Sequence, residues 1–449
     1  MAKTRTVFRC MSCGADTPKW VGKCPSCGDW NTLAEEIDTP STSPLVAPSP
    51  PVAITAVGAV DGQPVPSGIG EFDRVLGGGL VPGSVTLIGG EPGIGKSTLV
   101  LQLLGARAAA GAKVLYVTGE ESAHQVRLRA ERLDALNLNL LLAAETSLPN
   151  VVHHLEEERP ELCVVDSIQT LYDPQFSSAP GSVTQVRECA HRLVQVAKAN
   201  GTTLLLVGHV TKDGQLAGPR VLEHVVDTVI SFEGDRHHAL RVLRAQKHRF
   251  GSTEELGLFA MAGDGLEPVP DPSGLFLGDR RPGIPGSVVT PALEGHRPLL
   301  VEVQALVAQT NLPQPRRSAQ GLDSGRLSLL LAVMDRRAGL PVAGMDVYAS
   351  AVGGVKVLEP GADLAICVAL ASALFSQPVG EHVVACGEVG LGGELRQVGR
   401  LDRRLAEAAR LGFRRAVVPR SAPDVDADIE LVRVPSLAAA LNALGLDGN

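Results

Sequence analysis

The sequence predicts an α/β chain: an open, largely parallel sheet flanked by helices, with a second α/β domain after it and a small cysteine-bearing module before it. Three observations predict this. Between Ile69 and Gly265, short apolar runs alternate with segments of helical period, the pattern of strands buried on both faces. One such run leads into Gly90-Glu91-Pro92-Gly93-Ile94-Gly95-Lys96-Ser97, a glycine-rich turn whose chemistry needs a strand before it and a helix after it. Two Cys-x-x-Cys pairs stand near the N-terminus, ahead of any long apolar run.

In chain order, residues 1–37 form the cysteine module. Residues 38–68 form a semi-extended linker, with prolines at 40, 44, 48, 50, 51, 64 and 66 among Ser, Thr and Val. Within 69–267, residues 84–89, 113–118, 162–166, 203–207 and 228–232 read as strands. Residues 96–110, 122–133 and 183–200 read as helices, each opened or followed by Ser, Gly or Asn. From 268 to 449 the texture changes to strands punctuated by Pro and Gly, with helices at 326–337, 362–374 and 401–411. No short-period repeat indicates a solenoid.

The chain's 449 residues suggest two or three domains. With 44% hydrophobic, 20% charged and only 3% aromatic residues, the core is mainly aliphatic. A formal charge of −8 gives no global argument for nucleic acid, although a basic channel can exist within an acidic whole. No apolar stretch approaches the roughly 18–20 residues that span a bilayer, and the first 20 residues lack a signal-peptide core, so a cytoplasmic protein without a membrane partner is expected. Cys163, Cys189, Cys367 and Cys386 are scattered among apolar neighbours and form no disulfide framework.

Cys10, Cys13, Cys24 and Cys27 have the spacing with which four thiolates close on one Zn²⁺. Four protein ligands leave no open position for a water, so the metal is expected to be structural: a segment this short needs metal to fold. Contact between nucleic acid and Trp20, Trp30, Lys19 or Lys23 is left open.

The glycine-rich turn matches the phosphate-binding loop and predicts ATP binding by Gly90, Glu91, Pro92, Gly93, Ile94, Gly95, Lys96, Ser97 and Thr98. Backbone N–H groups wrap the phosphates, Lys96 reaches the β- and γ-phosphates, and the Ser97 hydroxyl ligates Mg²⁺. Asp166 ends an apolar strand and is expected to hold the same Mg²⁺. Glu120, with Glu121 as neighbour or substitute, is placed to polarise the attacking water; the alternative is a helix-capping role from Ser122 onward. His209 is either a γ-phosphate sensor or a satisfied buried histidine.

The four-cysteine module, the run Gly77-Gly78-Gly79-Leu80-Val81-Pro82-Gly83-Ser84 and the pentapeptide Lys247-His248-Arg249-Phe250-Gly251 resemble the bacterial RadA/Sms family of RecA-related DNA-repair ATPases, over almost the whole chain. The resemblance implies a RecA-like ATPase core. It also implies single-stranded and branched DNA and a RecA-like recombinase as partners, a hexameric ring, and branch migration of recombination intermediates. The family's pentapeptide has Asn where this chain has His248, and its Lys and Arg act on the adjacent subunit's nucleotide; Lys247 and Arg249 take those roles here, with catalytic Lys96, Glu120 and Glu121. Lys212 is expected in a loop that moves along DNA.

Gly387-Glu388-Val389-Gly390-Leu391-Gly392-Gly393-Glu394-Leu395, Val398-Gly399 and the helix from Leu401 resemble the Lon protease domain. Its Ser/Lys dyad is missing, because Ala362 and Asp402 occupy the two positions. A Lon-like scaffold without proteolysis is therefore expected, with Arg316 and Arg317, and also Arg280, Arg281, Arg336, Arg337, Arg400, Arg403 and Arg404, as DNA-facing candidates. The rival readings are a KaiC-like signalling ATPase and a Lon-type ATP-dependent protease.

Overall fold

The computed structural model describes residues 5–10, 15–26, 28–38, 53, 63–176, 178–209, 221–234, 240–310, 313–353 and 356–446. The chain divides into two compact units, Met1–Pro270 and Asp271–Asn449.

At the N-terminus, β1 (Arg5–Cys10) lies between β2 (Asp16–Thr17) and β3 (Leu33–Asp38) in a small antiparallel sheet. Its apolar core is slight: Cys10, Cys24 and Leu33, with Phe8 and Ala15 against them.

The rest of the first unit runs α1 (Gly70–Val75), β4 (Val85–Gly90), α2 (Lys96–Ala109), β5 (Val114–Thr118), α3 (Ala123–Arg132), β6 (Leu140–Ala144), α4 (Leu148–Glu158), β7 (Leu162–Asp166), α5 (Val183–Asn200) and β8 (Thr203–His209). It continues through α6 (Val221–Val225), β9 (Thr228–Glu233), β10 (Leu240–His248), β11 (Leu256–Ala262) and β12 (Gly265–Pro268). Among the described residues these strands form one nine-stranded sheet in the order β12-β11-β10-β9-β4-β8-β7-β5-β6. It is parallel from β6 to β9 and antiparallel from β9 to β12.

Alternation along the strands builds the two faces. Ile88, Tyr116, Val164 and Val207 pack on one side with α1, α2 and α3, while Leu87, Val117, Val165 and Leu206 pack on the other with α4 and α5. Each fully buried Leu or Val contributes roughly 1.5–3 kcal/mol. Helix ends follow local chemistry. Ser122 and Gln125 form a reciprocal capping box at α3, and α5 runs from a Ser182 cap to Gly201 in the left-handed region. The strand β6 and helix α4 are additions to the sequence reading. Every residue of β6 is at least partly exposed although its sequence, Leu140 to Ala144, is wholly apolar, and a short apolar run alone does not separate strand from helix.

The second unit runs α7 (Pro272–Leu277), β13 (Ser287–Glu294), β14 (Arg297–Gln309), β15 (Arg317–Gln320), α8 (Ser324–Arg337), β16 (Met345–Ala351), α9 (Asp363–Phe375) and β17 (Val383–Ala385). Then come β18 (Glu388–Val389), β19 (Leu395–Arg396), α10 (Leu401–Arg410), β20 (Arg415–Pro419), β21 (Glu430–Val434) and α11 (Leu437–Ala443). Its mixed sheet has the order β15-β16-β14-β13-β17-β20-β21, and α9 is buried along most of its length. Among the described residues, no helix is long and apolar enough to cross a membrane.

Two arginines expected to face DNA do not. Arg404 is 2% exposed and forms a two-pronged pair with Glu359, whose carboxylate also accepts from the Leu293 N–H. Arg280 lies over the Phe413 ring and donates to the Glu381 carbonyl. The Arg404 guanidinium holds the unit together, because a buried charge must be paired where it sits, whereas the Arg280 Nε is buried without a hydrogen-bond partner among the described residues. Arg281, Arg316, Arg317, Arg336, Arg337, Arg400 and Arg403 are exposed.

Candidate functional site

The parallel register gathers the chemistry at one edge of the sheet. Gly90, which ends β4, pairs with His209 at the end of β8; Asp166, which ends β7, pairs with Val207 of β8 and with Thr118 at the end of β5. The chain leaves β4 through α2 and returns at β5, two strands beyond β8, so β4 stands at a switch point where α/β sheets bind ligands at the carboxyl ends of their strands.

The glycine-rich turn takes the shape its composition requires. Gly95 precedes α2 with φ of 116°, a conformation that side chains resist. At Gly90 a Cβ would stand 2.6 Å from the Phe232 carbonyl oxygen, so only glycine lets β4 and β9 approach this closely. Ile94 is buried and anchors the turn, while Glu91, Pro92 and Gly93 are exposed and Ser97 and Thr98 partly so. Lys96 is 4% exposed, and its ammonium donates to the carbonyls of Gly90 at 2.8 Å and Glu91 at 2.9 Å. Burial pulls its pKa down, opposed by the carboxylates of Asp166 and Glu120. The lysine thus rests on carbonyls that a phosphate oxygen can replace.

Asp166 is 4% exposed and accepts a 2.7 Å hydrogen bond from the Tyr116 hydroxyl. Burial and the neighbouring Asp166 charge raise the Tyr116 pKa, which keeps the phenol protonated as a donor. This fixes the carboxylate's direction, and the sequence did not reveal it: Tyr116 reads as one more core residue of β5. The bond depends on the β5–β7 register, with Tyr116 opposite Val164 and two residues short of the strand's end.

Glu120 and Glu121 diverge. Glu120 is exposed, accepts from the Ser167 hydroxyl at 2.5 Å, and lies within electrostatic reach of Lys96. Glu121 forms a 2.5 Å ion pair with Arg129 of α3. The capping role considered for them belongs to Ser122 and Gln125.

At the opposite edge, where β4 begins, Asp227 is buried and accepts from the Val85 N–H at 3.0 Å. Three cations surround it. Lys198 of α5 is 3.4 Å and Arg249 3.7 Å from its carboxylate, while Lys247 donates to the Glu223 and Val226 carbonyls at 2.6 and 2.7 Å around the end of α6. Burial and the Arg249 charge lower the Lys247 pKa, opposed by Asp227.

His248 bridges Thr228, at 2.9 Å from Nδ1, and the Leu76 carbonyl, at 3.2 Å from Nε2. A carbonyl only accepts, so Nε2 carries the proton and Nδ1 accepts from the Thr228 hydroxyl. An Asn amide likewise offers an N–H donor and a carbonyl acceptor. Burial lowers the His248 pKa from its ordinary 6.5, so its contribution to stability is complete above that pH and is lost as pH falls through the folded value. His248→Asn is expected to remove this acid-side loss, read as a smaller fall in denaturation midpoint between pH 7 and mildly acidic pH than wild type displays.

In the N-terminal module, the Cys10 N–H donates to the Ala15 carbonyl at 3.0 Å and the Cys24 N–H to the Asp29 carbonyl at 2.8 Å. These two closures have the same five-residue span, and both thiols are buried. Such repeated cysteine turns fit a tetrahedral zinc site. Cys13, Cys27 and Lys212 lie outside the described residues, as does the His209 side chain.

In the second unit Ala362 is 1% exposed at the start of α9, and Asp402 is exposed in the first turn of α10. Next to Ala362, Arg326 pairs with the buried Asp363, which also accepts from the Val389 N–H.

Three family profiles match parts of the chain: an AAA domain at residues 71–215, a rubredoxin metal binding domain at 8–35 and the Lon protease (S16) C-terminal proteolytic domain at 351–436. The chain is 47% identical to the DNA repair protein RadA of Bacillus subtilis, across 98% of this chain and 99% of that one. It is 49% identical to the DNA repair protein RadA of Pseudomonas aeruginosa, across 99% and 100%. A KaiC-like protein from Pyrococcus horikoshii superposes with a TM-score of 0.40 at 20% identity, covering 46% of this chain and 100% of the other.

Proposed function

Because this chain belongs to the family of the DNA repair protein RadA, we propose that it is a DNA-dependent ATPase. In this reading it assembles as a homohexameric ring and drives branch migration of strand-exchange intermediates alongside a RecA-like recombinase.

The observation that carries this reading is the separation of the cations. Arg249 donates its backbone N–H to the carbonyl of Asp227, whose carboxylate holds the first residue of β4, whereas Lys96 follows the last. Five residue steps from Val85 to Gly90 span roughly 17 Å at about 3.3 Å per residue. Lys247 and Arg249 lie near the other end of β4 from their own Lys96, a separation that supports action on a neighbouring copy's nucleotide. A cation supplied across a subunit boundary stabilises the transferring phosphoryl and couples hydrolysis to subunit motion.

Within one site, the backbone N–H groups of the glycine-rich turn and the start of α2 hold the triphosphate. Lys96 exchanges its two carbonyl acceptors for β- and γ-phosphate oxygens. The Ser97 hydroxyl and Asp166 carboxylate are hard oxygen donors suited to Mg²⁺, which when bound neutralises charge on those phosphates. Tyr116 keeps Asp166 aimed, and Glu120 accepts the proton of the attacking water. Zn²⁺ on Cys10, Cys13, Cys24 and Cys27 folds the N-terminal module. The second unit serves as a scaffold: Ala362 offers only a methyl group, and the unit's one lysine is Lys356. Arg316 and Arg317, with Lys212 of the first unit, are its DNA contacts in this reading.

ATP turnover measured with and without single-stranded DNA, together with branch migration on forked substrates, tests the proposal. DNA should stimulate turnover, and Lys96→Ala should abolish both activities. Turnover indifferent to DNA together with no branch migration overturns it.

A further inference from the structure

The chain has two tryptophans, and both lie in the N-terminal module, outside its core. Trp20 is 55% exposed and Trp30 70%. A module this small gains most from burying its largest apolar side chains, yet it uses Phe8, Ala15, Leu33 and cysteine for its core. Stability does not account for the two indoles.

Their surroundings have a definite chemistry. Lys23 bridges antiparallel to Trp30, and its ammonium lies 5.9 Å from the centre of that ring. The Asn31 N–H donates to the Gly22 carbonyl at 2.8 Å, and a Cβ at Gly22 would be 3.5 Å from the indole. Trp30 is thus held in position while most of it stays in solvent. Lys19 and Lys23, which flank Trp20 and Val21, are exposed, and residues 18–31 carry these two ammoniums against one carboxylate, Asp29. Positioned aromatic rings with cations between them suit unpaired bases on a phosphate backbone: bases stack on the indoles and ammoniums meet the phosphates. Protein interfaces also favour Trp, but they deplete Lys around it.

We propose that the Trp20–Trp30 surface of the metal module is a single-stranded DNA binding site, with bases stacked on the indoles and phosphates on Lys19 and Lys23. This rests on the DNA-motor reading and adds a contact point separate from the ATPase sheet.

Because no other tryptophan is present, the tryptophan emission of the zinc-loaded full chain, excited beyond the absorption of its three tyrosines, reports this site alone. Titration with a thymidine oligonucleotide should quench that emission saturably. In anisotropy measurements with a labelled oligonucleotide, Trp20→Ala and Trp30→Ala should each weaken binding roughly 5- to 150-fold, the range of one lost base stack, at unchanged zinc content. Trp30→Phe should restore most of the affinity, and Lys19→Gln or Lys23→Gln should lower the salt slope by about 0.7 each. Unquenched emission while the oligonucleotide binds, or alanine variants that bind it as wild type does, overturns the proposal. So does a defect of those variants confined to binding a recombinase protein. A wild-type chain that binds no single-stranded DNA overturns the motor reading as well.

Discussion

Arg249→Ala is expected to lower ATP turnover by about 10³-fold or more while leaving nucleotide affinity close to wild type, the signature of a cation that acts on the transferring phosphoryl. The decisive measurement is mixing. If each site takes its cation from the next copy, adding Arg249→Ala subunits to wild type gives turnover that falls faster than the wild-type fraction, because an interrupted ring stalls its neighbours. Lys96→Ala and Arg249→Ala mixed together should recover some turnover, since a copy with an intact loop can then lie beside a copy with an intact arginine. Turnover strictly proportional to the wild-type fraction, with no recovery in the double mixture, would mean that each copy works alone. Lys247→Ala should act in the same direction but less simply. Its ammonium holds the Glu223 and Val226 carbonyls around the end of α6, so the substitution also loosens the helix that precedes β9. Arg249 is 56% exposed at its side chain and carries less of the local structure, which makes it the cleaner probe.

The sequence made parts of the fold legible, chiefly the long buried strands of the parallel sheet, while β17, buried throughout but three residues long, has no distinct signal. The strand β7 and helix α5 have the bounds expected from the apolar run at 162–166 and from the Ser182 and Gly201 signals around 183–200. The partly exposed β6 has an equally apolar run of Leu and Ala, residues that suit a helix as readily as a strand. Legibility of the site followed the same logic. The glycine-rich turn proposed to hold phosphate is local, so its residues are visible as a string. Tyr116 and Asp227 act through strand register and long-range contacts, the Asp227–Val85 bond spanning 142 residues, and no local pattern announces them. Arg404 is instructive because a signal was present. On α10 the buried positions are Leu401, Arg404, Leu405 and Ala408, the spacing of one helical face, so the period places this arginine inward although its Arg400 and Arg403 neighbours suggest a basic surface.

The geometry also separates the two adjacent carboxylates. Glu120→Gln is expected to reduce turnover by about 10²–10⁴-fold with ATP binding retained, because Gln keeps the size and the hydrogen bond to Ser167 but cannot take a proton. Glu121→Gln should cost turnover only a few-fold, since its partner is Arg129 of α3 and not the phosphate loop. Its effect should appear in stability: one oxygen of Glu121 and one guanidinium nitrogen of Arg129 are already buried without a partner, so neutralising the glutamate leaves the arginine poorly compensated. Ser167→Ala releases Glu120 without touching Asp166 and distinguishes a base that must be aimed from one that need only be near. An aimed base loses kcat at constant KM, whereas a merely proximal one loses neither. If Glu121→Gln abolished turnover and Glu120→Gln did not, the roles would exchange. The Arg129 pair would then have to open before each turnover, and Arg129→Ala would raise the rate.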